Sequence, residues 1–231
     1  MKTEFVYFDL DNTLLDHTAA ERDAHHDICR TFSEFQSVAI EEWLSTYKEI
    51  NSTLWMQYQK GEVDRYQLQR ARFWESMTKL GIPADRSEEI GTAYMNVYRR
   101  YWKWVPGAEE ALARVSEKYP IGFITNGFKE TQQKKIEYLN LNRFSDKFII
   151  SEDIGVMKPH PKVFEIATKM SAFEPQQILY VGDSYSSDII GGRNAGWRTA
   201  SYTALVEEYQ ECMTADFCFE QFPVLIDYLN Q

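Results

Sequence analysis

Residues 5–16 read Phe5-Val6-Tyr7-Phe8-Asp9-Leu10-Asp11-Asn12-Thr13-Leu14-Leu15-Asp16, and the fold turns on how that stretch is understood. Four apolar or aromatic residues in a row predict a strand in the interior of a sheet, covered on both faces. The run stops at two carboxylates, Asp9 and Asp11, with a hydroxyl two positions on at Thr13. In open α/β folds the C-terminal ends of strands are where ligand chemistry sits. Two carboxylates this close repel unless something positive lies between them, so a bound Mg²⁺ or a bound substrate is expected. Asp and Asn are also ordinary turn residues. Taken alone, the stretch fits a polar turn equally well, and the rest of the chain decides.

Composition sets outer limits. The 231 residues include 14 Phe, 14 Tyr and 6 Trp, ample material for a packed core, and suffice for one large domain or a core with a sizeable insertion. A net charge of −10 argues against nucleic acid and anionic membranes as partners, since both select clustered basic residues. No apolar run approaches the ~20 residues of a membrane span. The N-terminus lacks the basic and apolar regions of a signal peptide. Cys29, Cys212 and Cys218 are few, odd in number and unclustered, which predicts reduced thiols in a cytoplasmic protein, although Cys212 and Cys218 are close enough in sequence to pair. His17, His25, His26 and His160 show no zinc-ligand spacing. The acidic surface leaves oligomeric state open.

From Ala19 to about Trp104 the periodicity is helical. Trp43, Tyr47, Ile50, Leu54 and Tyr58 fall at spacings of three and four, one face of an amphipathic helix that Gly61 ends. Asp64 is placed to cap the next helix, which runs to Leu80, and another spans about 86–101. After Pro106 the texture alternates. Strands are expected at Ile121–Thr125, Lys147–Ser151, Ile178–Gly182, Arg198–Thr203 and Asp216–Phe219, with helices at 107–118, 129–140, 160–170, 186–195 and 221–230. Helices of that length between strands make parallel crossovers. The expected fold is therefore α/β, a doubly wound and mostly parallel sheet, with a core of residues 1–16 plus 106–231 and an inserted helical domain of residues 17–105.

Three further polar clusters follow predicted strands. Thr125-Asn126-Gly127 offers a hydroxyl and backbone N–H groups, suited to phosphate oxygens, though most such tripeptides are turns. Lys158-Pro159-His160-Pro161 holds a lysine on stiff backbone, ready to pair with an anion or simply to face water. Gly182-Asp183 ends a strand, and Asp188 follows at a helix start, where a carboxylate commonly complements the helix dipole. Together these clusters supply four carboxylates, a hydroxyl and a lysine at strand ends that a parallel sheet brings to one edge. Hard oxygen ligands suit Mg²⁺, and a carboxylate can attack phosphorus to give an aspartyl-phosphate.

On these motifs the chain resembles, over its whole length, the haloacid-dehalogenase-like (HAD) hydrolase superfamily, whose core is Rossmann-like. Asp9-Leu10-Asp11-Asn12-Thr13 is similar to the family's first motif, Thr125 to the second, Lys158 to the third, and Gly182-Asp183 with Asp188 to the fourth. The resemblance implies that Asp9 is the nucleophile and Asp11 the general acid and then base. It implies that Thr125 and the backbone of Asn126 bind phosphoryl oxygens while Lys158 neutralises Asp9 and the transferring group. Mg²⁺ is implied at Asp9, Asp11 (through its carbonyl) and Asp183, with Asp188 in or beside that shell. Members that displace halide need neither an acid at position 11 nor a metal, so Asp11, Asp183 and Asp188 favour phosphoryl transfer.

The helical insertion resembles the family's small cap, which covers the site and selects a small phosphomonoester. The segment Tyr47–Gly61, then Tyr66–Phe73, with Ile124–Phe128 and Ile150–Pro159, is similar to the pyrimidine 5′-nucleotidase branch, implying a pyrimidine nucleoside monophosphate as substrate. Trp55, Tyr58 and Phe73 are candidates to stack on a base, and Asn51 and Gln69 to read its edge, although helical spacing and polarity equally predict core packing and solvated positions. The rival expectations are a phosphatase or phosphomutase for phosphoglycolate or a sugar phosphate, and a nonenzymatic binding module on the same fold.

Overall fold

A computed structural model of the chain describes residues 2–205 and 214–230. Its elements run β1 (Phe5–Phe8), α1 (His17–Thr31), α2 (Ile40–Lys60), α3 (Arg65–Lys79), α4 (Ser87–Tyr98), α5 (Ala108–Ser116), β2 (Ile121–Thr125), α6 (Lys129–Tyr138), β3 (Phe148–Ile150), α7 (Ser151–Ile154), α8 (Pro161–Ser171), β4 (Ile178–Gly182), α9 (Ile190–Asn194), β5 (Arg198–Tyr202), β6 (Phe217–Phe219) and α10 (Phe222–Leu229). The six strands form one sheet in the order β3-β2-β1-β4-β5-β6, and every pairing is parallel. The doubly wound α/β fold expected from sequence is the fold observed.

The sheet order explains why β1 is wholly apolar. It lies between β2 and β4, with Val6 beside Ile121 and Phe5 beside Ile178, and Phe5, Val6, Tyr7 and Phe8 are all 0% exposed. Tyr7 stacks on Trp197 with ring centroids 5.3 Å apart, and its hydroxyl donates a hydrogen bond to the carbonyl of Ala167 at 2.8 Å. The chain winds from β1 through β2 to β3 on one side and continues through β4 to β6 on the other. The reversal falls between β1 and β4, and such a switch point opens a crevice at the strands' C-terminal ends.

The chain divides into two compact units, Met1–Asp16 with Lys103–Gln231, and His17–Trp102. Lys103 to Val105, assigned to the insertion on sequence, belong with the sheet unit: Asp16 N–H donates to Lys103 O, Val105 N–H donates to Leu14 O, and Trp104 bridges to Leu15.

The helical unit is built around an aromatic core. Trp43, Tyr47, Phe73 and Tyr94 are buried around His25, whose ring lies 4.1 Å from Tyr47 and 4.5 Å from Tyr94 between centroids. Helix α2 ends at Gly61 in the left-handed region, and Asp64 caps α3 by accepting from Tyr66 and Gln67 N–H while Gln67 reaches back to Asp64 N–H. Phe73 belongs to this core and is 0% exposed, so it does not present a face for stacking. Trp55 and Tyr58 are half-buried and meet each other edge-on at 5.7 Å.

Three smaller differences stand out. Ser151 opens α7 rather than ending β3, and the helix expected at 186–195 begins as a π-helical turn, Tyr185–Ile189. Cys29 is free, as expected, whereas Cys218 is in a disulfide against the expectation of reduced thiols; Cys212 lies outside the described residues. No helix among the described residues is long and apolar enough to cross a membrane.

Candidate active site

Adjacent strands deliver the four motifs to one edge. Asp9 directly follows β1, and its N–H donates to Val181 O at 2.9 Å, which ties it to β4 one residue before Gly182. Asn12 takes a left-handed conformation with φ 59°, tolerated well by Asn, and turns the chain back so that its N–H meets Leu15 O at 2.7 Å. Thr13, folded inward by this turn, donates its hydroxyl to Asp183 Oδ1 at 3.3 Å.

Lys158 lies at the centre. Its ammonium donates to Asp9 Oδ1 at 2.6 Å, Asp188 Oδ1 at 2.8 Å, the Tyr180 hydroxyl at 2.7 Å and Ile124 O at 3.1 Å. Tyr180 in turn donates to Ile124 O at 3.1 Å. Burial works against the lysine's charge, but Asp188 and Asp9 outweigh it and hold the ammonium pKa above its ordinary value. The Lys158–Pro159 peptide is cis. The backbone of Lys158 is fixed from the neighbouring loop: Asn126 Oδ1 accepts from Lys158 N–H at 2.8 Å, and Asn126 Nδ2 donates to Lys158 O at 3.0 Å. The Asn126 side chain is thus committed to holding Lys158.

Asp9, Asp183 and Asp188 each bring one carboxylate oxygen to within 4.8 Å of the others. Burial, then the lysine and the neighbouring carboxylates, leave Asp9 with its pKa pushed up to about 7. Burial, followed by the charges of Asp9 and Asp188, pushes the Asp183 carboxyl well above the ordinary range. Asp188 reaches this position from the π-helical turn, accepting from Ser184 N–H at 3.0 Å and from the Ser187 hydroxyl at 3.2 Å. Gly182 makes the approach possible, because a Cβ there would lie 2.4 Å from Asp188 Oδ2. One ammonium against three carboxylates leaves negative charge in excess, the donor set that suits a hard divalent cation. The residues present therefore fit a metal ion.

Asp11 stands apart from that cluster. Its side chain is 25% exposed, and both its oxygens accept from Lys135 Nζ, at 2.6 and 2.8 Å. Gln132 Nε2 donates to Asp11 Oδ2 at 3.1 Å, while its Oε1 accepts from the Thr125 hydroxyl at 3.1 Å. The expectation of Asp11 as a metal residue concerned its carbonyl, and its carboxylate is turned to α6. Three participants, Tyr180, Gln132 and Lys135, were not singled out from sequence. Tyr180 reads as one more core aromatic in a buried strand. For the other two a signal existed: residues 129–140 contain too few apolar side chains to cover a sheet, so polar ones had to face inward.

The family model of haloacid dehalogenase-like hydrolases matches residues 4–196. The chain is 32% identical over 212 residues to the pyrimidine 5′-nucleotidase YjjG of Escherichia coli, covering 91% of each chain. It is 31% identical over 243 residues to the glyceraldehyde 3-phosphate phosphatase of Pyrococcus furiosus, covering 100% of this chain and 94% of the other. Among solved structures, the magnesium-bound HAD-hydrolase YfnB of Bacillus subtilis superimposes with a TM-score of 0.86 at 24% identity over the full length of both. The chain belongs to the haloacid dehalogenase-like hydrolase family.

Proposed function

We propose that the chain is a Mg²⁺-dependent phosphatase that hydrolyses phosphomonoesters through a phosphorylated Asp9, with pyrimidine nucleoside monophosphates as its substrates. The observation that carries this reading is the division of labour among the carboxylates. Asp9 is buried and gripped by Lys158, whereas Asp11 is a second, partly exposed carboxylate outside the acidic cluster. A displacement of halide from carbon has no use for that second group.

In the first half-reaction Asp9 attacks phosphorus and the ester P–O bond breaks. Asp11 gives its proton to the departing oxygen. Lys158 offsets charge on Asp9 and on the transferring group, and Thr125 with the N–H of Asn126 holds phosphoryl oxygens. In the second half Asp11 takes a proton from water, which attacks phosphorus, releases phosphate and restores Asp9. A Mg²⁺ held by Asp9, Asp183 and Asp188, with the carbonyl of Asp11, supplies positive charge that offsets the phosphoryl oxygens and the carboxylates.

The nucleotide assignment rests on likeness to YjjG and to the pyrimidine 5′-nucleotidase PynA of Streptococcus pneumoniae, 28% identical over 201 residues. The Pyrococcus relative, acting on a triose phosphate at nearly the same identity, favours the second reading, a phosphatase for a small sugar phosphate. Core chemistry is shared and does not separate them. A kcat/KM panel of UMP, dUMP, dTMP, glyceraldehyde 3-phosphate, phosphoglycolate and hexose phosphates does. Nucleotides are expected to lead, and a preference of about 100-fold for a non-nucleotide overturns the assignment. Asp9→Asn is expected to abolish turnover of every ester. A cytoplasmic setting completes the proposal.

A further inference from the structure

The inward face of α6 departs from the usual composition of a helix against a sheet. Gln132 and Lys135, one turn apart, are each 3% exposed. Removing an ammonium from water is among the costliest burials a fold can make, and a leucine at position 135 would fill the space without that cost. The nearby Ile136 and Leu139 already supply apolar contact. Packing gives no reason for a lysine here.

What the two residues hold supplies the reason. Lys135 Nζ donates to both oxygens of Asp11, and Gln132 Nε2 adds a third bond to Oδ2. The same Gln132 accepts from the Thr125 hydroxyl through Oε1. A single amide therefore touches both the group proposed to move the proton and the group proposed to hold phosphoryl oxygens. The turn after β2 is shaped around it: Gly127 sits at φ +134°, and a Cβ there would come within 2.6 Å of Gln132 Nε2. The carboxylate so held keeps 25% of its surface exposed, against 3% for Lys135. Asp11 is fixed on one side and open on another.

We propose that Gln132 and Lys135 are positioning residues for Asp11, a clamp that sets its carboxylate in register with Thr125 for proton transfer at the leaving-group oxygen. The inference rests on the phosphatase reading above. Neither residue touches the reacting atoms; both act through Asp11. In the step they serve, Asp11 enters protonated, having taken its proton from solvent on its open side against the pull of Lys135. That O–H bond breaks and the proton goes to the bridging oxygen as the P–O bond breaks, the electron pair leaving with that oxygen. An alkoxide leaving group, such as the 5′-oxygen of a nucleoside, needs that proton. A p-nitrophenolate leaves without it, so the two ester types report on the clamp separately.

The test uses the full chain with saturating Mg²⁺, and compares p-nitrophenyl phosphate with whichever alkyl ester of the panel above the wild type turns over fastest. For Lys135→Met, kcat on the alkyl ester is expected to fall about 100-fold, with roughly threefold or smaller changes in its KM and in kcat on the aryl ester. Gln132→Leu also removes the acceptor of the Thr125 hydroxyl, so it is expected to lower kcat on both esters, and more on the alkyl one. Lys135→Arg should restore part of the alkyl rate, since guanidinium also donates to both oxygens of a carboxylate. Equal losses on both esters, or no loss on the alkyl ester, overturn the clamp. Circular dichroism establishes that each variant is folded; should Lys135→Met fail to fold, Lys135→Gln, which keeps the Gln132–Thr125 bond, decides by the same criterion. If the wild type hydrolyses both esters and Asp9→Asn neither, the phosphatase reading stands whatever the split. If the wild type hydrolyses neither, that reading falls and the clamp falls with it.

Discussion

At the scale of single residues, the Lys158 ammonium sits among four acceptors, Asp9, Ile124, Tyr180 and Asp188, almost completely out of water. An ammonium has three protons, and the Tyr180 hydroxyl both receives one and passes its own to Ile124 O, so every polar group there is answered. Tyr180→Phe removes that link, so the buried ammonium loses one of its four acceptors and Ile124 O loses one of its donors. The expected cost is about 1–3 kcal/mol of stability in urea unfolding, together with a lower kcat on p-nitrophenyl phosphate. Full retention of both would show that Asp9, Asp188 and Ile124 O suffice to hold Lys158. Asp9, Asp11 and Asp183 were legible in the sequence because they follow strands as polar breaks in apolar runs, Asp188 because it stands at a helix start, and Lys158 because prolines stiffen its loop. Tyr180 was not, because a tyrosine with a structural hydroxyl and one with a buried ring look alike in a string. Asn126 was legible as a position but not in its use, since its clamp on Lys158 joins residues 32 apart.

At the scale of elements, the helical unit carries its own titration. His25 is 0% exposed and its Nδ1 accepts from Trp43 Nε1 at 3.1 Å, which puts the ring proton on Nε2. Burial, then Arg72 and His26, depress its pKa well below the ordinary 6.5. In the unfolded chain His25 binds a proton as pH falls below 6.5, while in the folded chain it stays neutral. The unfolded state is then the one favoured by acid. His25 therefore contributes stability that is complete above that pH and lost progressively below it. Melting temperatures of the wild type and His25→Gln between pH 8 and pH 5, in steps of about half a unit, should converge as pH falls. Parallel curves would remove His25 from the acid sensitivity of this unit. Periodicity had located α2 and its buried Trp43 and Tyr47, and the cap at Asp64, because local propensity and burial agree there. It gave no warning that a histidine fills the centre of the aromatic core, or that α6 turns polar residues inward.

For the whole molecule, the acidic cluster makes stability depend on divalent metal. Asp9, Asp183 and Asp188 crowd three carboxylates around one lysine, which costs free energy unless a cation relieves it. A ligand that binds only the folded state adds about 2.7 kcal/mol at 100 times its dissociation constant. Mg²⁺ should therefore raise the melting temperature of the wild type by several degrees, at about 2–4 °C per kcal/mol for a chain of this size. Asp183→Asn should show little or no rise, and in EDTA it should melt at or above the wild type because one carboxylate of the crowded cluster is gone. A full Mg²⁺ response in Asp183→Asn would exclude Asp183 as a ligand. Activity of the wild type should disappear in EDTA and return with Mg²⁺.

The sequence by itself determined the parallel α/β class, the insertion after the first strand and the polar groups at the strand ends, because these depend on local periodicity and on the abrupt change from apolar run to carboxylate. The tertiary structure alone decided how the motif residues divide. Sheet order put β1 next to both β2 and β4, so Asp9 met Lys158, Asp183 and Asp188 while Asp11 turned to Gln132 and Lys135 on α6. No spacing rule separates two aspartates two residues apart into one that joins an acidic cluster and one held by a buried lysine. That separation requires packed neighbours from distant parts of the chain, which set the local charge and decide which carboxylate stays open to solvent.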